Sequence, residues 1–167
     1  MTAMSKLPEF DTADFRRTLG CFPTGVTIVT TTTPEGAPVG VTISSFNSVS
    51  MTPPLVVWSL ARKAASLPVF HAAEGFVINV LSADQADLPR IFSSPVDERF
   101  DAVDWTKGTL GHPVLGGTAA VIECKTYARH DGGDHEIFLG EVVAHRATDR
   151  TPLIFGQGRL GAFAIGA

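Results

Sequence analysis

The sequence predicts a mainly β domain, an antiparallel barrel or sandwich carrying a few short helices, and three observations point there. Runs of strand length rich in β-branched residues recur along the chain, beginning with Val26-Thr27-Ile28-Val29-Thr30-Thr31-Thr32-Thr33. Two heavy atoms on Cβ crowd a helix but suit a pleated strand. The 16 glycines and 11 prolines are spread over all 167 residues, as many short elements joined by tight turns require. Strand candidates mostly follow one another without long helices between them, which argues against a doubly wound parallel sheet.

The first element is a helix over 12–19. Asp11 is placed to cap it, Asp14 falls in the first turn where a negative charge is favoured, Phe10 and Phe15 occupy staple positions, and Gly20 closes the end. After Phe22-Pro23-Thr24-Gly25 the β-branched run forms a strand that ends at the Pro34-Glu35-Gly36 turn signal, and 39–45 returns as its hairpin partner. Further strands are expected at 55–60, 75–81, 119–127, 137–146 and 160–164. Two short helices interrupt them. One runs from Ser66 to Ala73, and the other follows a Ser82-x-x-Gln85 capping box and turns Leu88, Ile91 and Phe92 toward the core.

Composition excludes several classes of partner. With 17 acidic against 13 basic residues, a net charge of −4 and no Lys/Arg cluster, the chain lacks the electrostatic footprint of a nucleic-acid binder. Its apolar stretches, 53–61 and 75–81, fall far short of the roughly 20 residues that span a bilayer. Residues 1–15 contain no apolar core of a secretory signal. Cys21 and Cys124 lie far apart with neither CxxC nor zinc-knuckle spacing. The expectation is a reduced, cytoplasmic protein with no membrane or nucleic-acid partner, folded as one domain over 1–167 with its core at about 12–164.

Several motifs invite a chemical reading. Gly156-Gln157-Gly158-Arg159-Leu160-Gly161 matches GxGxxG, yet a dinucleotide fingerprint needs a helix after it and an acid about 20 residues on. Only six residues follow Gly161, so a glycine-rich turn between the last two strands is expected instead. His130, Asp131, Asp134, His135 and Glu136 are metal-ligand types, but Asp131-Gly132-Gly133 reads as a hairpin turn and no second cluster completes a shell, so no metal is expected. His71, His112 and His145 have no obvious partners and read as structural or solvent-exposed. Neither cysteine has the setting of a nucleophile, and there is no GxSxG elbow.

The segment 42–50 packs six hydroxyl or amide side chains into nine residues, among them Thr42, Ser44 and Ser45. Such groups offer donors to a phosphate or a polar ring edge without adding charge, although an edge strand entering a Ser-rich loop has the same composition. Arg62 and Lys63, with Ser66, set two cations and a hydroxyl beside a helix start, where anions are favoured; a solvated loop is the alternative.

Six segments in order make the chain similar to a known family: FPTGVTIVT at 22–30, GVTISSFNSVSMTPPLVVWSL at 40–60, GFVINVLS at 75–82, DERF at 97–100, GGDHEIFLGEV at 132–142 and PLIFGQGRLGAF at 152–163. From about Phe15 to Phe163 it resembles the flavin reductases with the FMN-binding split-barrel fold, the small reductase components of two-component flavin-dependent monooxygenases. The resemblance implies a Greek-key antiparallel split barrel and a homodimer with flavin sites near the subunit interface. It implies FMN or FAD as the flavin, NADH or NADPH as hydride donor, and a separate monooxygenase that receives reduced flavin by diffusion.

The resemblance also assigns residues. Pro23, Thr24, Thr42, Ser44 and Ser45 should line the isoalloxazine ring, while Leu60, Ala61, Arg62, Lys63 and Ser66 should hold the phosphate end. Phe100 should approach the flavin from the loop after the second short helix. His135, as the catalytic residue that orients the nicotinamide, should contact the nucleotide together with Gly156, Gln157, Gly158 and Arg159. Where the family often carries a tyrosine, this chain has Phe155. Hydride transfer from nicotinamide C4 to flavin N5 needs close, stacked rings more than a protein acid or base, so a site of small polar residues without a triad fits it. Backbone N–H groups near Ser44 and Ser45 would stabilise negative charge growing at flavin N1 and O2. Two other readings share the barrel: a flavin-binding electron carrier without nicotinamide-dependent turnover, and an oxidase acting directly on a small substrate, related to the pyridoxamine-phosphate oxidases.

Overall fold

The computed structural model describes residues 11–94 and 98–164. Helix α1 spans Thr12–Gly20, and its cap is the expected Asp11, whose carboxylate accepts the Ala13 N–H at 2.8 Å. Gly20 is the last helical residue rather than a left-handed stop: Cys21 leaves in a right-handed conformation and its N–H bonds back to the Thr18 carbonyl. Phe10 of the expected staple lies outside the described residues, as does Asp97 of the DERF segment.

Strands β1 (Thr24–Gly25), β2 (Thr27–Thr32), β3 (Pro38–Ile43), β4 (Asn47–Met51) and β5 (Pro54–Ala61) come next. Then follow α2 (Leu67–Ala72), β6 (Gly75–Val80), α3 (Leu88–Ser93), β7 (Trp105–Lys107), β8 (Pro113–Leu115), β9 (Ala120–Gly132), β10 (His135–Ala147), β11 (Leu153–Gly156) and β12 (Arg159–Ala162). Seven strands form one antiparallel sheet in the order β3-β2-β6-β9-β10-β5-β4, with β1-β11-β12 and β7-β8 as smaller sheets. The neighbours β2 and β6, or β5 and β10, are distant in sequence, the long return connection of a Greek key. Just past β3, the Ser45 hydroxyl donates to the Ser59 carbonyl at 3.1 Å and accepts the Ser59 N–H at 3.0 Å. This side chain thus ties the segment just past the end strand β3 to β5, near the other end of the sheet.

The core follows from strand periodicity. On β5 alternate residues turn inward, burying Val56, Trp58 and Leu60. Trp58 stacks on Phe138 with ring centroids 4.5 Å apart and meets the edges of Phe70 and Phe76. Gly140 makes room for this group, because a Cβ there would come within 2.5 Å of the Phe76 ring. A second cluster of Leu81, Leu88, Phe92, Phe100, Leu115 and Leu153 lies around α3. Buried Asn79 is satisfied on both sides, donating to the Ile28 carbonyl and accepting the Leu115 N–H.

Three expectations are corrected. The Ser-rich stretch after β3 contains a strand, β4, an exposed edge with a register shift between Ser48 and Ser50, whose two apolar residues, Val49 and Met51, stay exposed and bury no inward stripe. Gln85 does reach back to the Ser82 N–H at 3.2 Å, but this box closes only the helical turn Ala83–Gln85, and α3 begins at Leu88 with Pro89 in its first turn. The long hairpin turns at Gly133-Asp134 rather than at 131–133, with Gly133 at φ 75°, so β9 and β10 reach 13 residues each.

Candidate active site

A cleft of about 1140 Å³ opens between β3, the connection from β5 to α2, α3 and the start of β10. Thr42, Ser44 and Ser45 line one wall, with Leu60, Ala61 and Ser66 beside them. Phe100 forms part of the floor, 8% exposed and edge-on to Phe92 and Trp105. His135 and Gly158 also reach the cleft. Residues expected from four separate segments therefore meet in one place.

Two hydroxyls of the first wall are already committed inside the protein. Thr42 donates to the Pro89 carbonyl at 2.9 Å, tying β3 to α3, and Ser45 bridges to Ser59. Their side chains hold the wall, and what they leave toward the cleft is a surface of small groups and backbone. Gly40 sets the depth of that wall: a Cβ there would lie 2.8 Å from the Phe92 ring and 3.2 Å from Phe100.

Pro23, Thr24, Gly156, Gln157 and Arg159 do not line the cleft. Thr24 pairs with Phe155 and Phe155 with Leu160 across the small sheet β1-β11-β12; Phe155 and Leu160 line the cleft, and Thr24, on the strand beyond, does not. Pro23 backs on Gly156, whose added Cβ would sit 3.2 Å from the proline. Among the described residues the buried Thr24 hydroxyl oxygen has no hydrogen-bond partner. The GxGxxG segment is the expected hairpin turn: Gly156 pairs with Arg159, and Gln157 and Gly158 adopt φ 50° and 76°, the doubly left-handed geometry of a two-residue turn.

Arg62 and Lys63 are likewise absent from the lining. Arg62 turns to the β9–β10 hairpin, where its Nε–H donates to the Gly133 carbonyl at 2.9 Å and Nη2 meets the Asp131 carboxylate at 2.6 Å. That hydrogen bond holds the Asp131 carboxyl below its ordinary range. Glu136, only 7% exposed, lies 4.0 Å from Arg62 Nη1 and accepts from His71 Nδ1 at 2.8 Å. Nothing local in the sequence signals this His71–Glu136 pair, whose members stand on α2 and β10.

His135 opens β10, and its side chain is 43% exposed. Its Nδ1 lies 2.6 Å from the Asp134 carboxylate, which only accepts, so the proton sits on Nδ1 and Nε2 is left for a ligand. The same bond pulls the Asp134 carboxyl below its usual range. Sequence reasoning missed Arg90 and Arg99 on the cleft wall near α3; Arg99 donates to the Gly40 carbonyl at 3.2 Å and belongs to the DERF segment, which was the available signal. Among the described residues no group of three or more His, Cys, Asp or Glu is gathered as metal ligands, and no helix is long and apolar enough to cross a membrane.

The cleft's small hydroxyl-bearing wall, aromatic floor and two lining arginines, Arg90 and Arg99, fit a flat polar ring with an anionic tail. Comparison with known proteins bears on that fit. Residues 19–164 match a family described as the flavin reductase like domain. An NADH-dependent FMN reductase of Agrobacterium fabrum is 49% identical over 150 residues, spanning 90% of this chain and 85% of that protein. A reductase subunit of a flavin-dependent monooxygenase of Rhodococcus jostii is 37% identical, spanning 89% of this chain and 76% of its own length. Among solved structures, a Streptomyces globisporus NADH:FAD oxidoreductase in complex with NAD and FAD fragments has a TM-score of 0.88 at 38% identity, covering 94% of this chain and 98% of that one. Some relatives are longer, and the chain spans 54% of one structure from Sinorhizobium meliloti.

Proposed function

This chain belongs to the flavin reductase-like domain family, and we propose that its cleft binds FMN or FAD beside NADH and serves hydride transfer between them, supplying reduced flavin to a separate monooxygenase. The flavin ring supplies the hydride-accepting chemistry when bound. What the chain contributes is position. The 42–45 segment presents a flat wall held by Thr42 and Ser45, and Phe100 offers an aromatic surface beneath it. Backbone N–H groups near Ser44 and Ser45 are the donors we assign to the electron-rich edge of the ring. Arg90 and Arg99 set positive charge along the same cleft, suited to the phosphate groups of either nucleotide.

The single observation that carries this reading is His135. It stands at the cleft with Nδ1 fixed by Asp134 and Nε2 left to meet a carboxamide. A flavin carrier has no use for such a group. Family resemblance assigns Pro23 and Thr24 to the isoalloxazine ring, Lys63 to the phosphate end and Gly156, Gln157 and Arg159 to the nicotinamide nucleotide; none of the six lines the cleft, and these roles rest on the resemblance alone. Pairing with a second copy of this chain is carried over from the family resemblance. A cytoplasmic setting and one domain over the whole chain complete the proposal.

The test is anaerobic stopped-flow absorbance at about 450 nm, where oxidised flavin absorbs, with FMN or FAD mixed against NADH or NADPH. Rapid bleaching with NADH is expected. His135→Ala should raise KM for NADH by about tenfold while flavin binding survives. Flavin binding with no bleaching faster than the protein-free control would instead favour the electron carrier.

A further inference from the structure

We infer that Arg62 is a positioning residue for the hydride-donor side of the cleft: it clamps the hairpin turn that carries His135 and does not hold the flavin phosphate. The inference rests on the reductase reading and deepens it. It departs from the expectation that the cations at 62 and 63 face a phosphate together.

The argument begins with register. His135 pairs with Ala61, the last residue of β5, so the β5–β10 ladder stops there and the hairpin turn projects beyond it. Arg62 continues the contact where the ladder ends. Its main-chain N–H donates to the Asp134 carbonyl at 2.9 Å, its Nε–H to the Gly133 carbonyl at 2.9 Å, and its Nη2 to Asp131 Oδ1 at 2.6 Å. Every residue of the segment 131–134 except Gly132 is therefore tied to one arginine, and His135 follows directly. The Asp134 whose carbonyl Arg62 holds is the residue whose carboxylate fixes the His135 ring.

A second anchor lies one residue further on. Buried Glu136 takes a bond from His71 on α2 and faces Arg62 Nη1 at 4.0 Å. The guanidinium thus sits between two carboxylates, with one edge on a carbonyl and one corner on Asp131. A phosphate would have to displace those partners to use the same planar fork. Ser66, from the same connection, lines the cleft, and Arg62 does not. A half-exposed ion pair contributes little to global stability, so the effect of losing it falls on the placement of His135 rather than on folding.

The experiment compares Arg62→Gln, Asp131→Asn and the double variant with the unaltered protein. Flavin affinity is read by fluorescence with FMN and with riboflavin, which lacks the phosphate, and NADH kinetics are read separately as KM and kcat. Arg62→Gln is expected to raise KM for NADH roughly fivefold or more, with FMN affinity and the FMN-to-riboflavin preference within about twofold of the original. Asp131→Asn should shift KM the same way by less, and the double variant should be no worse than Arg62→Gln alone, because the two residues act through one contact. An unchanged KM, additive effects, or a loss of FMN affinity that riboflavin does not share would overturn the inference while leaving the reductase reading intact. An unaltered protein that binds FMN but is not reduced by NADH would overturn both. Should Arg62→Gln not fold, Arg62→Lys, which keeps the charge and loses the fork, carries the same comparison.

Discussion

The two aromatic clusters of this barrel use the same residue types to opposite ends. Around Trp58, rings from β5, β6, α2 and β10 close on one another, and Phe138 is 0% exposed. Around Phe100, the covering elements are short, α3 and a single helical turn at Arg99–Ala102, and they leave one face of the cluster on the cleft. Long paired strands seal a core, whereas short helices laid over a sheet edge leave a slot. The cleft is therefore the barrel's unfinished side, and its aromatic floor belongs to both stability and binding.

The sharpest way to break that comparison is to truncate one ring from each cluster. Phe138→Ala should cost about 3–5 kcal/mol in urea unfolding, the range for a fully enclosed ring, and leave the NADH and FMN constants of the folded fraction near their original values. Phe100→Ala should cost less, about 2 kcal/mol, and weaken FMN binding several-fold by fluorescence titration. Equal losses of stability with equal effects on binding would mean the two clusters are not functionally divided.

Ser45→Ala probes the wall between them. It removes a hydroxyl that both donates to and accepts from Ser59, so a loss of about 1–2 kcal/mol is expected in the same unfolding assay, with a weaker flavin complex because the wall loses its bridge. A variant with unchanged stability would show that the β3–β5 junction does not depend on this side chain.

The smallest expected effect is a pH dependence centred on His112, which does not line the cleft. Burial lowers the pKa of His112 from its ordinary 6.5, with Glu123 opposing the shift. The unfolded chain then binds the proton more readily than the folded one, so this contribution is fully present above that value and falls as pH drops through it. Asp131 and Asp134, whose folded carboxyls are held low, lose their contribution as pH falls through a lower window. His112→Asn should therefore flatten the urea midpoint between about pH 7 and 5 and leave the more acidic decline in place.

Much of the fold was legible because its strands carry their own signal. The Thr-rich β2, the alternation of β5 and the apolar run of β6 sit where β-branching and period two place them. β4, the last five residues of β9 and the first two of β10 escaped, since β4 is an exposed edge and residues 128–132 and 135–136 carry mostly polar and charged side chains around the hairpin turn. Thr42, Ser45, Phe100 and His135 were legible as residues of one cleft through family resemblance. Arg62 was legible only as a cation. Its partners lie about 70 positions on, and no local pattern distinguishes a guanidinium that meets carboxylates from one that meets a phosphate.

By itself the sequence determined the antiparallel class, most strand positions, the Asp11 cap, the terminal glycine turn and the family, because each rests on local sterics or on motifs read in order. Only the tertiary structure decided which polar groups remain available at the cleft. Hydrogen bonds between distant elements commit Thr42 to Pro89, Ser45 to Ser59, Arg62 to the hairpin and Glu136 to His71, and a donor's availability depends on the partner that folding brings to it.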